Sequence, residues 1–146
     1  MSPRPEAIAA AGWWAGKLAT PADHDIGRGA EESSALANSV SALVRRQRSQ
    51  AQIEAFREAL ADEIEQHLAQ HPDAWRPDDP LWGSGLRDIG VDYGPDAVLA
   101  DAAERAGFEL KMLDLPMKTV MWINPGVVKV AEGYSAQPVI VWRAGQ

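Results

Sequence analysis

Residues 118–123 (KTVMWI), 127–131 (VVKVA) and 138–142 (PVIVW) decide the fold, because each is a short run of apolar and β-branched residues bounded by turn residues. Pro125 and Gly126 stand between the first two runs. Proline presets φ at position i+1 of a type II turn, and glycine supplies the positive φ that position i+2 needs. The C-terminal quarter of the chain therefore predicts three antiparallel strands joined as a meander.

The chain before these strands predicts helices, because its apolar residues recur at three- and four-residue spacing. Four helices are expected: from Pro5 to Ala19, from a cap at Ser33 or Ser34 through Val44, from a cap at Ser49 to a stop at Pro72, and from Pro95 to Gly107. The proline-rich residues 71–85 carry Trp75 and Trp82, and these two tryptophans predict a packed loop.

A length of 146 residues, of which 46% are hydrophobic and 24% charged, is typical of one globular domain. The absence of cysteine excludes disulfides and thiolate zinc ligands. We therefore expect a single α+β domain over residues 1–146. Its helical part (1–107) holds about four N-terminal helices, and a C-terminal three-stranded antiparallel β-meander (116–143) follows.

Acidic side chains are concentrated in the middle of the chain, where residues 51–110 carry fourteen acidic and four basic side chains. The whole chain has a net charge of −7. An acidic face repels phosphate backbones, so broad nucleic-acid binding is not expected. The sequence has neither a signal-peptide core nor an apolar run of about 18 residues, so we expect no membrane span and a cytoplasmic location.

The predicted strands expose two apolar faces, which predicts self-association. Thr119, Met121 and Ile123 share one face of the first strand, and Val120 and Trp122 share the other. One face is expected to lie on the helices. A short chain has little left to cover the second face, so a homo-oligomer is expected.

A few polar and aromatic side chains next to the predicted sheet form the candidate binding site. They are Lys118, Trp122, Lys129, Tyr134, Trp142 and Arg143. Aromatic stacking and charge pairing are both available to them, so they suit a small anionic ligand or a partner protein. The simpler interpretation is that they are ordinary solvent-facing strand residues.

Asp23, His24 and Asp25 offer a candidate metal site, because carboxylates beside an imidazole can bind a metal or act as a base. On this interpretation the chain is a small metal-dependent hydrolase. The alternative is a loop and cap cluster, since adjacent residues rarely point at one ion without further ligands. No catalytic constellation or cofactor motif is present, so we expect no cofactor and favour a protein that is not an enzyme.

Three stretches together resemble small, mostly uncharacterised proteins of phages and prophages. They are residues 12–18 (GWWAGKL), residues 91–95 (VDYGP) with Leu99 and Gly107, and residues 116–123 (PMKTVMWI) with Gly133 and Tyr134. This resemblance implies an accessory phage protein in the host cytoplasm, which binds a host protein or sequesters a small ligand, including against host defence. A structural phage component is the further alternative.

Overall fold

The computed structural model describes residues 2–19, 48–111 and 113–145. These contain the helices α1 (Pro5–Ala19), α2 (Gln50–Ala69) and α3 (Ala97–Arg105), and the strands β1 (Ile89–Val91), β2 (Thr119–Asn124), β3 (Val127–Ala131) and β4 (Val139–Arg143). Two short 3-10 turns, Pro72–Ala74 and Ser84–Leu86, precede β1. The predicted helix that ends near Val44, and the candidate metal loop at Asp23, His24 and Asp25, lie outside the described residues.

Local sequence signals explain where α2 begins. The side chain of Ser49 accepts a hydrogen bond from the backbone N–H of Gln52, and the Gln52 side chain accepts one from the backbone N–H of Ser49. This capping box satisfies two backbone donors that the helix itself cannot pair. The prediction of a cap at Ser49 is confirmed, as is the first helix from Pro5 to Ala19.

The four strands form one antiparallel sheet in the order β1-β2-β3-β4, so the sheet has one strand more than predicted. The additional strand, β1, is only three residues long and has Gly90 at its centre, so it is too short for the alternation of Ile89 and Val91 to predict a strand. Because β1 precedes α3 in the chain, the helices and strands are interleaved. In the described part of the chain three α-helices are present, rather than four.

The turn between β2 and β3 forms as predicted. Gly126 has a φ of 80°, in the left-handed region that glycine tolerates. The backbone N–H of Gly126 donates to the Glu6 carboxylate at 2.8 Å, so the hairpin turn is held against the first turn of α1.

The inner face of the sheet lies on the helices, and the outer face is partly exposed. The inner side chains Met121, Ile123 and Val128 are fully buried, and α1 contacts β2, β3 and β4. On the opposite side Val120 and Ile140 keep 37% and 44% of their surface exposed. The predicted assignment of β2 residues to two faces is therefore confirmed.

The loop between α2 and β1 is organised around one buried arginine. All five N–H donors of Arg87 are used: its guanidinium donates to the carbonyl oxygens of Ala74, Pro80, Trp82 and Ile123 and to the side-chain oxygen of Asn124. Removal from water lowers the pKa of the guanidinium, and these acceptors offset that desolvation. The loop is thereby tied to the end of β2.

Candidate functional site

A pocket of about 630 Å³ opens at one end of the sheet, where three loop segments meet. We call it the tyrosine pocket, and its defining residues are Gly90, Asp92, Tyr93, Lys118, Tyr134 and Ser135. The turn after β1 supplies Asp92 and Tyr93, the residue before β2 is Lys118, and the connection between β3 and β4 supplies Tyr134. The pocket has the size of a typical ligand site.

The turn after β1 is closed by Asp96, which acts as both donor and acceptor. Its carboxylate accepts a hydrogen bond of 2.6 Å from the backbone N–H of Gly90, and its own N–H donates to the Gly90 carbonyl at 3.0 Å. Gly90 is required here, because a Cβ would lie 2.3 Å from the carbonyl oxygen of Thr119.

Lys118 places a positive charge inside the tyrosine pocket. Its backbone N–H donates to the carbonyl oxygen of Asp92 at 3.0 Å, and its ammonium group pairs with the Asp92 carboxylate. The ammonium nitrogen lies 4.1 Å from the centroid of the Tyr93 ring and 6.0 Å from that of Tyr134. The hydrogen bond to Asp92 raises the pKa of Lys118, so the group is held in its charged form.

The two tyrosines at the mouth of the pocket interact with each other. Desolvation raises the pKa of the Tyr134 phenol, and a hydrogen bond with Tyr93 raises it further. Thr119 holds the strand connection in place, since its hydroxyl oxygen accepts from the Gly133 N–H at 3.3 Å. Among the described residues, Lys118 and Ser135 are the non-glycine residues with positive φ, both at 56°, and both line this pocket.

The outer face of the sheet (Val120, Trp122, Lys129 and Ile140) continues from the pocket wall at Val120. Trp122, Lys129 and Ile140 are successive cross-strand partners on β2, β3 and β4, so their side chains share this face. One tryptophan, one lysine stem and two aliphatic side chains thus form a partly exposed apolar surface.

The six residues of the predicted binding site divide among four places. Lys118 and Tyr134 line the tyrosine pocket, whereas Trp122 and Lys129 lie on the outer face. Trp142 pairs with the buried Val128 and packs against the core, and Arg143 is exposed at the end of β4.

Sequence reasoning missed Asp92 and Tyr93 as site residues. They belong to the segment VDYGP, in which Pro95 predicts the start of a helix. Asp92 and Lys118 are 26 residues apart in the sequence, so no local pattern could predict their contact.

A second apolar patch lies on the loop that Arg87 organises. Leu81, Trp82 and Leu86 keep 68%, 46% and 46% of their surface exposed. The prediction that both loop tryptophans pack is confirmed for Trp75, which lies against the core, and is wrong for Trp82. The exposed indole is covered on one side by Arg76, whose guanidinium carbon lies 3.9 Å from the ring centroid.

Within residues 2–19, 48–111 and 113–145, no group of three or more histidine and carboxylate side chains is placed to hold a metal ion. None of the helices described there has both the length and the apolarity of a membrane span.

The sequence of residues 30–142 matches the pattern of the BTG family. Protein BTG1 of Homo sapiens and Protein BTG1 of Bos taurus are each 28% identical to the chain over 98 residues, which cover 66% of this chain and 56% of the relative. Protein BTG2 of Rattus norvegicus is 29% identical over 79 residues, which cover 53% of this chain and 48% of that protein. The chain thus spans about half the length of these relatives.

The fold is also that of a solved BTG/Tob domain. The domain of C. elegans FOG-3 superimposes with a TM-score of 0.56 at 22% identity, over 75% of this chain and 78% of that one. At this identity the similarity concerns the fold.

These comparisons overturn the resemblance to phage proteins. Two of the three stretches behind it, residues 91–107 and 116–134, lie within the matched region. The phage accessory function, the phage structural component and the metal-dependent hydrolase are therefore wrong, and the host-cytoplasm location has no support. The chain belongs to the BTG family.

Proposed function

We propose that the chain is a regulatory domain of the anti-proliferative BTG type and that it acts by binding a protein partner on the outer face of its sheet. The observation that carries this proposal is the partly exposed apolar surface, on which Val120 and Ile140 remain 37% and 44% exposed beside Trp122. A partly exposed apolar surface that contains a tryptophan is typical of an interface.

The charge distribution supports a protein partner over a nucleic acid. The chain carries a net charge of −7, and its acidic side chains cluster in residues 51–110. A net negative charge repels a phosphate backbone, so a protein partner is favoured over a nucleic acid. The cytoplasmic location expected from the sequence remains a prediction.

The effect on cell growth tests this proposal. The chain is expressed in dividing mammalian cells beside Trp122→Glu, Ile140→Glu and the control Glu58→Gln, which changes an exposed side chain on α2. We expect the chain and the control to lengthen the doubling time, and both outer-face variants to lose most of that effect. Equal activity of all four proteins, or no effect of the unaltered chain, would refute the proposal.

Direct contact is tested with a photo-crosslinking amino acid at position 140 and, as the control, at position 58. A partner should be captured from position 140 alone, and mass spectrometry of the crosslinked peptide should place it against β4. The loop variant Leu86→Glu separates the two apolar patches: loss of crosslinking in this variant alone would assign the contact to the loop instead.

A further inference from the structure

From the tyrosine pocket we infer a second recognition site: it receives a positively charged side chain, an arginine or a lysine, from the protein partner, and Lys118 of the chain itself occupies part of it when no partner is bound. The inference rests on the proposed function, because it assigns a chemistry to the partner. It concerns a different set of residues from the outer face.

The tyrosine pocket is larger than its internal occupant requires. Its volume of about 630 Å³ lies within the range of sites that hold a whole ligand group. Lys118 enters from one wall, and 29% of its side-chain surface remains exposed. Space is therefore left beside the ammonium group for a second side chain, or for a replacement.

The charge of the pocket favours a cation. Three carboxylates, those of Asp88, Asp92 and Asp96, line it with one ammonium group, that of Lys118. The Lys118 charge is already neutralised by Asp92. An anionic ligand would meet uncompensated negative charge, so the small anionic ligand expected from the sequence is disfavoured at this position.

The aromatic rings add a second preference for a cation. The ring face of tyrosine carries negative charge density and attracts ammonium and guanidinium groups within about 6 Å. Lys118 uses this attraction, at 4.1 Å from Tyr93 and 6.0 Å from Tyr134. The chain thus demonstrates with its own side chain which kind of group the site binds.

An arginine from a partner is able to displace Lys118. The Asp92 carboxylate is 72% exposed, so its pair with Lys118 is well hydrated and weak. A guanidinium group can bind a carboxylate through two hydrogen bonds and stack on a tyrosine at the same time, whereas an ammonium group offers a single point of charge. The displaced Lys118 side chain can extend into solvent.

The pocket also adjoins the surface on which the partner is proposed to dock. Val120 belongs both to the pocket lining and to the outer face. A partner that covers Trp122 and Ile140 can therefore insert a neighbouring basic side chain without a separate contact area.

The test is an NMR titration of the ¹⁵N-labelled chain with acetyl-Gly-Arg-Gly-amide, with the neutral Gln and anionic Glu versions as matched probes. We expect shifts at the backbone amides of Asp92, Tyr93 and Tyr134 with the Arg peptide only. Lys118→Met removes the internal competitor and should tighten binding about threefold, the size of one exposed cation–π contact. Asp92→Asn and Tyr93→Leu should weaken it by a similar factor.

Three results would overturn the inference: stronger binding of the Glu peptide, weaker binding to Lys118→Met, or the absence of shifts at the pocket amides. The amide spectrum of each variant shows whether it is folded, and the exposed control Glu58→Gln should bind like the unaltered chain. Because no partner is present in the titration, its failure leaves the growth effect of Trp122→Glu intact. Failure of the proposed function would instead appear in the growth and crosslinking experiments.

Discussion

Arg87 holds together the loop between α2 and β1. It is 2% exposed, and its guanidinium joins four backbone carbonyls and Asn124 at 2.6 to 3.0 Å. No side chain other than arginine presents five donors in a planar fork. The position therefore depends on the identity of the side chain as well as on its charge.

We expect Arg87→Lys to lower the free energy of unfolding by about 3 kcal/mol, because three ammonium donors leave buried acceptors unpaired. Limited proteolysis should then cleave within residues 71–86 before any other described segment. Arg57→Lys is the control, since Arg57 is exposed and pairs with Glu54 on the helix surface. A stability change of the same size in both variants would contradict the assigned role.

Glu65 gives the chain an acid-sensitive contact between its N-terminus and α2. The Arg4 guanidinium donates to both carboxylate oxygens, at 2.9 and 2.6 Å, and the Arg4 backbone N–H donates as well, at 2.9 Å. The Arg4 side-chain hydrogen bond is the largest of the effects that hold the Glu65 pKa below its ordinary value of 4.5, although burial opposes it.

A depressed carboxylate pKa stabilises the fold above the unfolded-state value and loses that contribution as the pH falls through the folded-state value. We therefore expect Glu65→Gln to lower the free energy of unfolding by about 2 kcal/mol at pH 7. The difference from the unaltered chain should shrink steadily once the pH drops below 4.5. Urea denaturation between pH 7 and pH 3 measures it, and a difference independent of pH would exclude the ion pair as its cause.

At the level of elements, the pairing of β1 with β2 depends on one glycine. A Cβ at Gly90 would lie 2.3 Å from the Thr119 carbonyl oxygen and 3.3 Å from the Val120 Cα, which are backbone atoms that cannot move alone. Gly16, in α1, offers a contrast, because a Cβ there meets nothing within 4 Å.

We expect Gly90→Ala to destabilise the chain by about 2 kcal/mol, since β1 must move away from β2. Gly16→Ala should stabilise it by about 0.5 to 1 kcal/mol, because alanine is the better helix former. Thermal unfolding of both variants measures the two signs. Hydrogen exchange at the β1 amides should rise in the first variant only; equal exchange in both would contradict the steric explanation.

At the level of the whole molecule, the partly exposed outer face predicts that the chain associates with a second copy or with a protein partner. A second copy and a protein partner would cover the same side chains, Trp122 and Ile140, so the two should compete. The homo-oligomer expected from the sequence remains a prediction.

Sedimentation velocity over a range of protein concentrations tests that prediction. We expect the mean sedimentation coefficient to rise with concentration for the unaltered chain and to stay at the monomer value for Ile140→Glu. Arg57→Lys, far from the sheet, should behave like the unaltered chain. A sedimentation coefficient that stays at the monomer value at every concentration would contradict the homo-oligomer.

The spacing of residues along the chain was sufficient to predict the elements whose stabilising contacts lie within one segment. The helix from Pro5 to Ala19, the capping box at Ser49, the turn at Gly126 and the alternation of β2 all follow from residues a few positions apart. That the chain acts by binding remains a prediction, and the resemblance to phage proteins was wrong, because the matched family is a different one.

Only the tertiary structure decided which distant residues meet. β1 is a strand because its three residues pair with β2, and nothing in the segment itself signals that pairing. Lys118 meets Asp92 across 26 positions, while Trp142, which the sequence grouped with Lys118, packs against the core. The periodicity of a sequence shows which side of its own helix or strand a residue occupies. A binding site is formed by contacts between segments, and these contacts depend on how the whole chain packs.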